Sequence, residues 1–466
     1  MKIIIFGIGQ FYKNRKSELD KYIGEEHQIV CYLDNSIADD TKYYDNIKMT
    51  NPVYIKDLEY DIILIMSIHE KEMRQQLIAL GCADETIWSW ERFKSEMSHG
   101  QFVHYGNIIL SKTNRNVLII STDLDYNGGT IAAVYAAKAI QSNGDNVVLA
   151  ARSGNCSFIK ETVKDGVNIT ICPAIPYLSN EELAWIKQFD VIMVNVFQMI
   201  KCACMISQTK PTIWWIHEPM HFYEEILAKF PDYREQECIS RINIQAVSRI
   251  PQKKFNKFYP GAIKEITPYG IPDDKYCSLG KHSKIIFAIV GSVIDIKAQD
   301  VFVKAIHLLS KEKNVLFLIV GFFGEDEYCK KVRHLINDDE RIVICGNYSR
   351  EQMRDVYGKI DVIVSPSRED SLPIVMTEGM MYGKVCIASD ATGTADFIED
   401  GVNGLLCKAG DVESLASKMQ WVIDHPEKLA DMRKNARKTY EKYFTMEKFA
   451  QRLDTVITET IEAYEE

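Results

Sequence analysis

NVLIISTDLDYNGGTIAAVYAAKAI, residues 116–140, is the stretch that decides the fold. An apolar run of strand length leads into a turn with two glycines, and an alanine-rich segment typical of a helix follows. The same order occurs in KIIIFGIGQFY (residues 2–12) and in IIFAIVGSVIDIKAQDVFVKAI (residues 285–306). Strands that alternate with helices are typical of parallel sheets with crossover helices, so three such openings predict three α/β units.

The domain organisation follows from these openings, because 466 residues are too many for one hydrophobic core. The predicted divisions are a small Rossmann-like domain (1–98), a polar linker (99–115), a second domain (116–275), a third domain (276–440) and a C-terminal helix (441–466). Apolar residues recur at helical spacing in this last segment, at Phe449, Leu453, Ile457 and Ile461. Such a stripe needs a surface to cover.

Composition excludes several classes of protein. A net charge of −10 argues against a general nucleic-acid binder. The longest apolar runs have strand length, well short of the ~20 residues of a membrane-spanning helix. The N-terminus enters a strand at once, so we expect no secretory signal. Twelve scattered cysteines without a C-x-x-C pair predict reduced, buried thiols, and together these features predict a cytoplasmic protein.

The N-terminal glycine turn has two interpretations. GIGQFY places Tyr12 where a dinucleotide-binding fingerprint has its third glycine. Asp34 comes at the end of the second strand, where a ribose-binding acid would lie. The turn therefore belongs either to a nucleotide pocket or to a simple packing contact between strand and helix.

The second unit offers three candidate features. NGGT (residues 127–130) opens a helix, where backbone N–H groups suit a phosphate; the alternative is a tight turn in which Thr130 caps the helix. Asp123-x-Asp125 resembles a metal-holding pair, but so short a motif is weak evidence, and we expect no metal there. TIWWIHEP puts His217 at a strand end, where open α/β sheets bind ligands, unless it is a hydrogen-bonded structural histidine.

The third unit contains a lysine at the mouth of a glycine turn. Lys297 lies just before a predicted helix, and fixed positive charge beside helix-end N–H groups suits a diphosphate. The alternative is a solvated lysine.

A second feature of this unit is SPSREDSLPIVMTEGMMYG, residues 365–383. We expect a strand end, an acidic loop, and a helix that begins near Met376 and holds Glu378 in its first turn. The carboxylates of Asp370 and Glu378 suit vicinal hydroxyls, and the loop N–H groups suit an anion. Alternatively, Glu378 only complements the helix dipole, and Asp370 is a solvated loop acid.

From residue 116 to 466 the chain resembles the retaining GT-B glycosyltransferases called glycosyl transferases group 1, or glycosyltransferase family 4. The matching motifs occur in order as NGGT, WWIHE, AVS, PYGIPD, VGSVIDIKAQD, LIVGFFGEDEY, ICGNYS, IDVIVSPSREDSLPIVMTEGM and DGVNGLL. The resemblance implies an α/β GT-B fold, in which two Rossmann-like domains face a cleft and the final helix crosses back to the acceptor domain. Here a small Rossmann-like α/β domain precedes that fold.

The resemblance also implies roles for individual residues. Glu378 would hold the ribose, Asp370 would meet the donor sugar, Lys297 would bind the diphosphate, and His217 would lie near the sugar and leaving group. Asp370 replaces a more common glutamate, and Pro373 replaces a common glycine. The other implied donor-binding positions are Gly128, Gly129, Thr130, Ser292 (in place of an arginine), Gly346, Asn347, Tyr348, Ser371, Leu372, Ile374 and Val375.

The implied activity is retaining transfer from a nucleoside-diphosphate sugar to a hydroxyl of a polysaccharide, lipid-linked glycan or glycoprotein glycan, with no cofactor or divalent metal. A catalytically silent nucleotide-sugar-binding scaffold and a nucleotide-sugar epimerase are alternatives. The stretch SRIPQKKFNKFYPGAIK (residues 248–264) predicts peripheral contact with the inner face of a membrane, or else a solvated amphipathic helix. Its membrane-facing cations would be Arg249, Lys253, Lys254 and Lys257.

Overall fold

A computed structural model describes residues 1–37, 42–218, 223–224, 226–227, 239–275, 284–309 and 314–466. The chain divides into two compact units. The first combines Met1–Val103 with Ile171–Trp185, and the second contains His104–Thr170 and Ile186–Glu466. The predicted start of the third domain at residue 276 lies outside the described residues.

The first unit is built on a six-stranded sheet with apolar side chains on both faces. Its strands, in spatial order, are Tyr43–Tyr44, Ile47–Thr50, Gln28–Leu33, Lys2–Phe6, Ile62–Ile65 and Ile87–Ser89. Neighbouring strands are parallel except for the first pair. The helices are Gln10–Lys13, Lys16–Ile23, Glu70–Ala79 and Trp90–Glu96.

The N-terminal glycine turn is followed by a helix of only four residues, Gln10–Lys13. Tyr12 is fully buried, and its hydroxyl lies 2.9 Å from that of Tyr32. Asp34 lies just after the second strand, where its Oδ1 accepts hydrogen bonds from the backbone N–H and the hydroxyl of Ser36 at 2.8 and 2.7 Å. These contacts favour the packing interpretation of the turn.

A buried carboxylate connects the two segments of the first unit. Glu182 accepts hydrogen bonds from the backbone N–H groups of Gly100 and Ser179 at 2.7 and 2.8 Å. The ring Nδ1 of His99 lies 2.9 Å from the same carboxylate. Because a buried carboxylate requires several hydrogen-bond donors, these contacts hold the start of the predicted linker in one conformation.

The second unit contains two sheets. The seven-stranded sheet has the order Asn243–Ala246, Thr212–Ile216, Val191–Asn195, Asn116–Leu124, Asn146–Gly154, Asn168–Ile171 and Val103–Tyr105. The six-stranded sheet has the order Ile342–Gly346, Val315–Val320, Ile285–Val290, Val362–Ser365, Val385–Ser389 and Leu405–Cys407. Each carries crossover helices, and we call the two parts the acceptor half (116–170 and 186–275) and the donor half (284–440).

Helices connect the strands of both halves. Those before residue 275 are Gly128–Ser142, Cys156–Lys164, Asn180–Ile186, Ile200–Ile206 and Arg249–Phe258. Those after residue 284 are Gln299–Leu308, Glu327–Ile336, Arg350–Lys359, Ile374–Met381, Val412–Asp424, Leu429–Tyr443 and Met446–Glu465. Within the described ranges, none of the helices combines the length and apolar character that crossing a bilayer requires.

The C-terminal helix, Met446–Glu465, packs on helix Gly128–Ser142 of the acceptor half. The side-chain amide of Asn143 donates to the Ala450 carbonyl at 2.9 Å, and that of Asn243 donates to the Thr460 hydroxyl at 2.8 Å. The side chains of the predicted apolar stripe are buried at Phe449, Leu453 and Ile457. The helix therefore joins the end of the chain to the acceptor half.

Candidate functional site

The donor loop, which we define as residues 366–373, joins strand Val362–Ser365 to helix Ile374–Met381. This helix begins at Ile374 rather than near Met376, because Pro373 supplies its extended N-cap and needs no N–H partner there. Glu378 consequently lies in the second turn, so the expectation of a first-turn position is wrong. Since the helix dipole acts mainly on the first turn, that alternative for Glu378 loses its basis.

Lys297 and Asp370 form an ion pair between Lys Nζ and Asp Oδ2. Lys297 ends the short 3-10 turn Asp295–Lys297, and Asp370 lies in the donor loop, where its N–H donates to the Ala391 carbonyl at 3.1 Å. Their side chains are 31% and 13% exposed, respectively. The two predicted site residues therefore lie together, and neither is the solvated side chain of the alternative interpretation.

Glu378 is held by a tyrosine that the sequence analysis missed. The buried Tyr357 hydroxyl donates to Glu378 Oε2 at 2.6 Å, and its ring stacks on Tyr382 with centroids 4.9 Å apart. Burial and the Glu378 carboxylate hold the pKa of Tyr357 well above its ordinary value, so the tyrosine remains a donor. Helical periodicity could have predicted burial of Tyr357, but no local signal names its partner.

Asp370 and Glu378 both lie near a second buried tyrosine, Tyr269. Burial, followed by the charges of these two carboxylates, raises the pKa of Tyr269 well above its ordinary value. The charges of both acids therefore act on one hydroxyl. This proximity agrees with the hypothesis that they serve one site.

Other predicted donor positions lie at the carboxyl ends of neighbouring strands. Gly346 ends strand Ile342–Gly346, where its carbonyl accepts from the Gly321 N–H at 2.8 Å, and Asn347 and the 41%-exposed Tyr348 follow. The Ser292 carbonyl accepts from the Gln299 side-chain amide at 3.0 Å. Leu372 is buried, and Ile374 and Val375 form the first turn of their helix.

Buried polar atoms in this region lack partners. Among the described residues, neither the Ser371 hydroxyl nor the Gln299 Oε1 atom has a hydrogen-bond partner. A buried polar group without a partner costs about 1–3 kcal/mol, so a polar ligand would relieve the deficit. Ser371 was a predicted donor-binding residue, whereas Gln299 was missed because its signal depends on burial.

The glycine pair of the acceptor half opens helix Gly128–Ser142. The cap is Asn127, whose side-chain oxygen accepts from the Thr130 N–H at 3.0 Å, so the alternative in which Thr130 caps the helix is wrong. The Thr130 hydroxyl instead donates to the Asp123 carbonyl at 3.0 Å. Gly128 and Gly129 therefore present the exposed first turn of a capped helix.

The Asp123 carboxylate pairs with Arg152 at 2.8 Å. In the described part of the chain, no group of three or more His, Cys, Asp or Glu side chains has an arrangement that could hold a metal ion. The ten cysteines of the same residues form no disulfide with one another, and most of them are buried.

His217 follows strand Thr212–Ile216, next to Glu218, which the sequence analysis did not select. The Glu218 carboxylate accepts from the Phe197 N–H at 2.9 Å and from the His217 N–H at 3.1 Å. It thereby joins the carboxyl ends of two adjacent strands. Between them Val196 adopts a φ of +75°, an outlier for a β-branched residue that the surrounding contacts must enforce.

Asn195, also missed, lies at the end of strand Val191–Asn195. It is fully buried, and its side-chain amide donates to the Gly129 carbonyl at 3.2 Å. Its Oδ1 atom has no partner among the described residues. Asn195 therefore connects the glycine pair to the end of the strand that directly precedes the strained residue Val196.

The protonation of His217 follows from its surroundings. The residue keeps a partly exposed surface, but its Nε2 atom is buried and has no partner among the described residues. Burial lowers the pKa of His217 to about 3 and raises that of the Glu218 carboxyl to about 7. At neutral pH His217 is therefore a neutral imidazole with one donor and one acceptor nitrogen, so it acts through hydrogen bonds rather than through charge.

Comparison with known proteins places this geometry in a family. The family Glycosyl transferases group 1 matches residues 277–439, and C2185-like, N-terminal matches residues 1–88. The chain contains a glycosyl transferases group 1 domain. The matched segment at residues 1–88 forms an additional N-terminal domain.

Individual glycosyltransferases extend the comparison. An uncharacterized glycosyltransferase of Haemophilus influenzae is 23% identical over 68% of this chain and 92% of its own length. An uncharacterized glycosyltransferase of Methanocaldococcus jannaschii is 27% identical over 34% of this chain, and the match spans 44% of that relative. Anabaena HepE, solved with UDP and glucose, superposes with a TM-score of 0.64 at 17% identity, over 74% of this chain and all of HepE. The predicted GT-B fold is confirmed.

The basic stretch forms helix Arg249–Phe258, with Phe255 buried. Lys254 makes an ion pair with Glu369 of the donor loop, and the Arg249 N–H donates to Asp396 at 3.0 Å. Lys254 is therefore directed at the donor half, whereas Lys253 and Lys257 are exposed. Membrane contact through this helix stays a prediction, and Lys254 is poorly placed for it.

A stability measurement tests the protonation state of His217. Because the folded pKa of about 3 lies below the unfolded value of about 6.5, the folded state is favoured above pH 6.5 and loses stability as the pH falls towards 3. Between pH 7.5 and pH 5, we expect the melting temperature of His217→Asn to fall less than that of the wild type. The exposed His425→Asn should behave like the wild type, and equal acid sensitivity in all three proteins would contradict the assignment.

Proposed function

We propose that this glycosyltransferase moves a sugar from a nucleoside diphosphate to a hydroxyl of a glycan, lipid-linked or protein acceptor, with retention of anomeric configuration and without a divalent metal. The observation that supports the proposal is the ion pair between Lys297 and Asp370, in which a cation and a carboxylate meet a few residues before a helix start. A sugar diphosphate needs both kinds of group.

Lys297 and the donor loop would act on the leaving group. Cleavage of the sugar–phosphate bond leaves negative charge on the diphosphate, and groups aimed at that charge stabilise the transition state. Lys297 would exchange Asp370 for phosphate oxygens, helped by the N–H groups of Leu372, Ile374 and Val375. Asp370 would then be available to accept a hydrogen bond from a hydroxyl of the donor sugar.

Glu378 would bind the ribose. Tyr357 donates to Oε2 of Glu378, and the two oxygens of a carboxylate match the spacing of two vicinal hydroxyls. Because Tyr357 also orients the carboxylate, the ribose would meet an acceptor that is already aligned. Gly346, Asn347 and Tyr348 would lie near the base.

The acceptor half would complete the reaction centre. A neutral His217 would hydrogen-bond a hydroxyl of the transferred sugar, and the helix start at Gly128 and Gly129 would cover the diphosphate. The departing phosphate oxygen would take the proton of the attacking hydroxyl. Attack from the side of the leaving group retains the anomeric configuration.

The donor class has support from the relatives. HepE of Anabaena was solved with UDP and glucose, which favours a nucleotide sugar for a chain with the same fold. Binding is tested by measuring melting temperature with UDP, GDP, ADP and TDP and their common sugar conjugates. Because a ligand that binds only the folded state raises the melting temperature, we expect one nucleotide series to stabilise the protein.

Product analysis then separates the proposed function from its alternatives. Transfer yields a free nucleoside diphosphate and a glycoside whose anomeric coupling in proton NMR equals that of the donor. An epimerised nucleotide sugar would identify an epimerase, and binding without turnover across an acceptor panel would identify a silent scaffold. Unchanged turnover after EDTA treatment is expected, and loss of turnover that Mg²⁺ restores would refute metal independence.

A further inference from the structure

Two hydroxyls of the acceptor half donate hydrogen bonds to two consecutive carbonyls of the donor loop. Ser248 Oγ donates to the Ser371 carbonyl, and Tyr269 OH donates to the Leu372 carbonyl at 2.6 Å. Ser248 and Tyr269 are buried, at 0% and 2% exposure. The donor loop is therefore held by side chains that lie 123 and 103 residues earlier in the chain.

These contacts determine which way one amide points. The described chain has no cis peptide, and the C=O and N–H of a trans peptide point in opposite directions. Because Ser248 holds the Ser371 carbonyl, the Leu372 N–H of the same peptide must point away from Ser248. Tyr269 fixes the next peptide, whose nitrogen belongs to Pro373 and offers no N–H.

Gly393 shows how closely this junction is packed. A Cβ atom at position 393 would lie 1.8 Å from the Ser371 carbonyl oxygen and 2.3 Å from Ser248 Oγ. The Gly393 N–H also donates to the Asp370 carbonyl at 2.9 Å. Three consecutive loop residues, from Asp370 to Leu372, are thus fixed through their carbonyls, which leaves little freedom for the peptide between Ser371 and Leu372 to rotate.

We infer that Ser248 and Tyr269 are positioning residues that aim the Leu372 N–H at the diphosphate of the donor. The inference rests on the proposed function, because it assumes a nucleoside diphosphate beside the donor loop. It adds that the phosphate-binding conformation of the donor half is imposed by the acceptor half. Neither residue touches the ligand, so both act through the loop backbone.

The experiment compares a nucleoside diphosphate with its parent nucleoside. The diphosphate is whichever of UDP, GDP, ADP and TDP raises the melting temperature most, and it is compared with the nucleoside of the same base. Calorimetry and ligand NMR give the two dissociation constants. We expect Tyr269→Phe and Ser248→Ala to lower the ratio of nucleoside to diphosphate dissociation constants at least about fivefold, the size of one hydrogen bond. The dissociation constant of the nucleoside itself should change less than about twofold.

Tyr440→Phe is the matched control, because the buried Tyr440 hydroxyl also donates to a backbone carbonyl, that of Ile271 at 3.0 Å, which does not belong to the donor loop. Its ratio should equal that of the wild type. Ser248 also caps helix Arg249–Phe258. If Ser248→Ala does not fold for that reason, the result with Tyr269→Phe tests the inference. A normal ratio in folded Tyr269→Phe overturns the inference alone, whereas a wild type that binds no diphosphate overturns the proposed function with it.

Discussion

Lys297→Ala is expected to lower kcat/KM for sugar transfer at least about 100-fold, the magnitude typical of losing one group aimed at transition-state charge. The side chain pairs only with Asp370 among the described residues and is 31% exposed, so the folded structure should survive its removal. Because the lysine faces the diphosphate in the proposed complex, nucleoside binding should stay unchanged while diphosphate binding weakens. Steady-state kinetics and binding of both ligands measure these effects.

Lys330→Ala is the control for this variant. Lys330 lies in the same half, is 59% exposed and pairs with Glu327 at 2.7 Å, so its removal should leave kcat/KM near the wild-type value. If Lys297→Ala transfers sugar at a rate similar to that of Lys330→Ala, the diphosphate-binding role of Lys297 is wrong. A fall in nucleoside affinity that matches the fall in diphosphate affinity would also contradict it.

Glu378→Ala is expected to reduce kcat/KM by at least about 100-fold, with a different binding signature. The carboxylate faces the ribose in the proposed complex, so affinity for the nucleoside should fall together with affinity for the diphosphate. Removal of Glu378 also leaves the buried Tyr357 hydroxyl without the acceptor seen at 2.6 Å. A hydrogen bond to a charged group contributes about 1.5–3 kcal/mol, so a modest decrease in melting temperature should accompany the loss of activity.

Two companion variants separate these effects. Tyr357→Phe removes the donor but keeps the carboxylate, so melting temperature should fall while nucleoside binding weakens less than in Glu378→Ala. Glu327→Ala removes a carboxylate that is 91% exposed and should change neither quantity. Wild-type nucleoside affinity in folded Glu378→Ala would remove the ribose-binding role from this residue.

The order of elements was predictable because it rests on local pattern. Apolar runs of strand length followed by glycine turns and helical segments recur three times, and each opens a sheet whose strands are mainly parallel. The helix before Glu378 begins two residues earlier than predicted, because Pro373 is its N-cap residue in the folded chain.

Residues of the candidate site were predictable only where they belong to a sequence motif. Lys297 and Asp370 are 73 residues apart, and only the resemblance joined them before the ion pair was seen. The contact of Tyr357 with Glu378, the role of Glu218 at two strand ends, and the unpartnered Asn195 oxygen had no equivalent signal. Each depends on which side chains come into contact when separate strands and helices pack. The spacing of residues along the chain does not predict those contacts.

The sequence by itself determined the α/β class, the order of the strands and helices, and the residue types available to the proposed site for a diphosphate sugar. These properties follow from hydrophobic periodicity and turn chemistry, which act over a few residues. Only the tertiary structure decided how the donor loop is held, because Ser248 and Tyr269 reach it from more than 100 residues away. The direction of a backbone N–H is fixed when the carbonyl of the same peptide accepts a hydrogen bond. Here the folded acceptor half supplies the donor of that hydrogen bond.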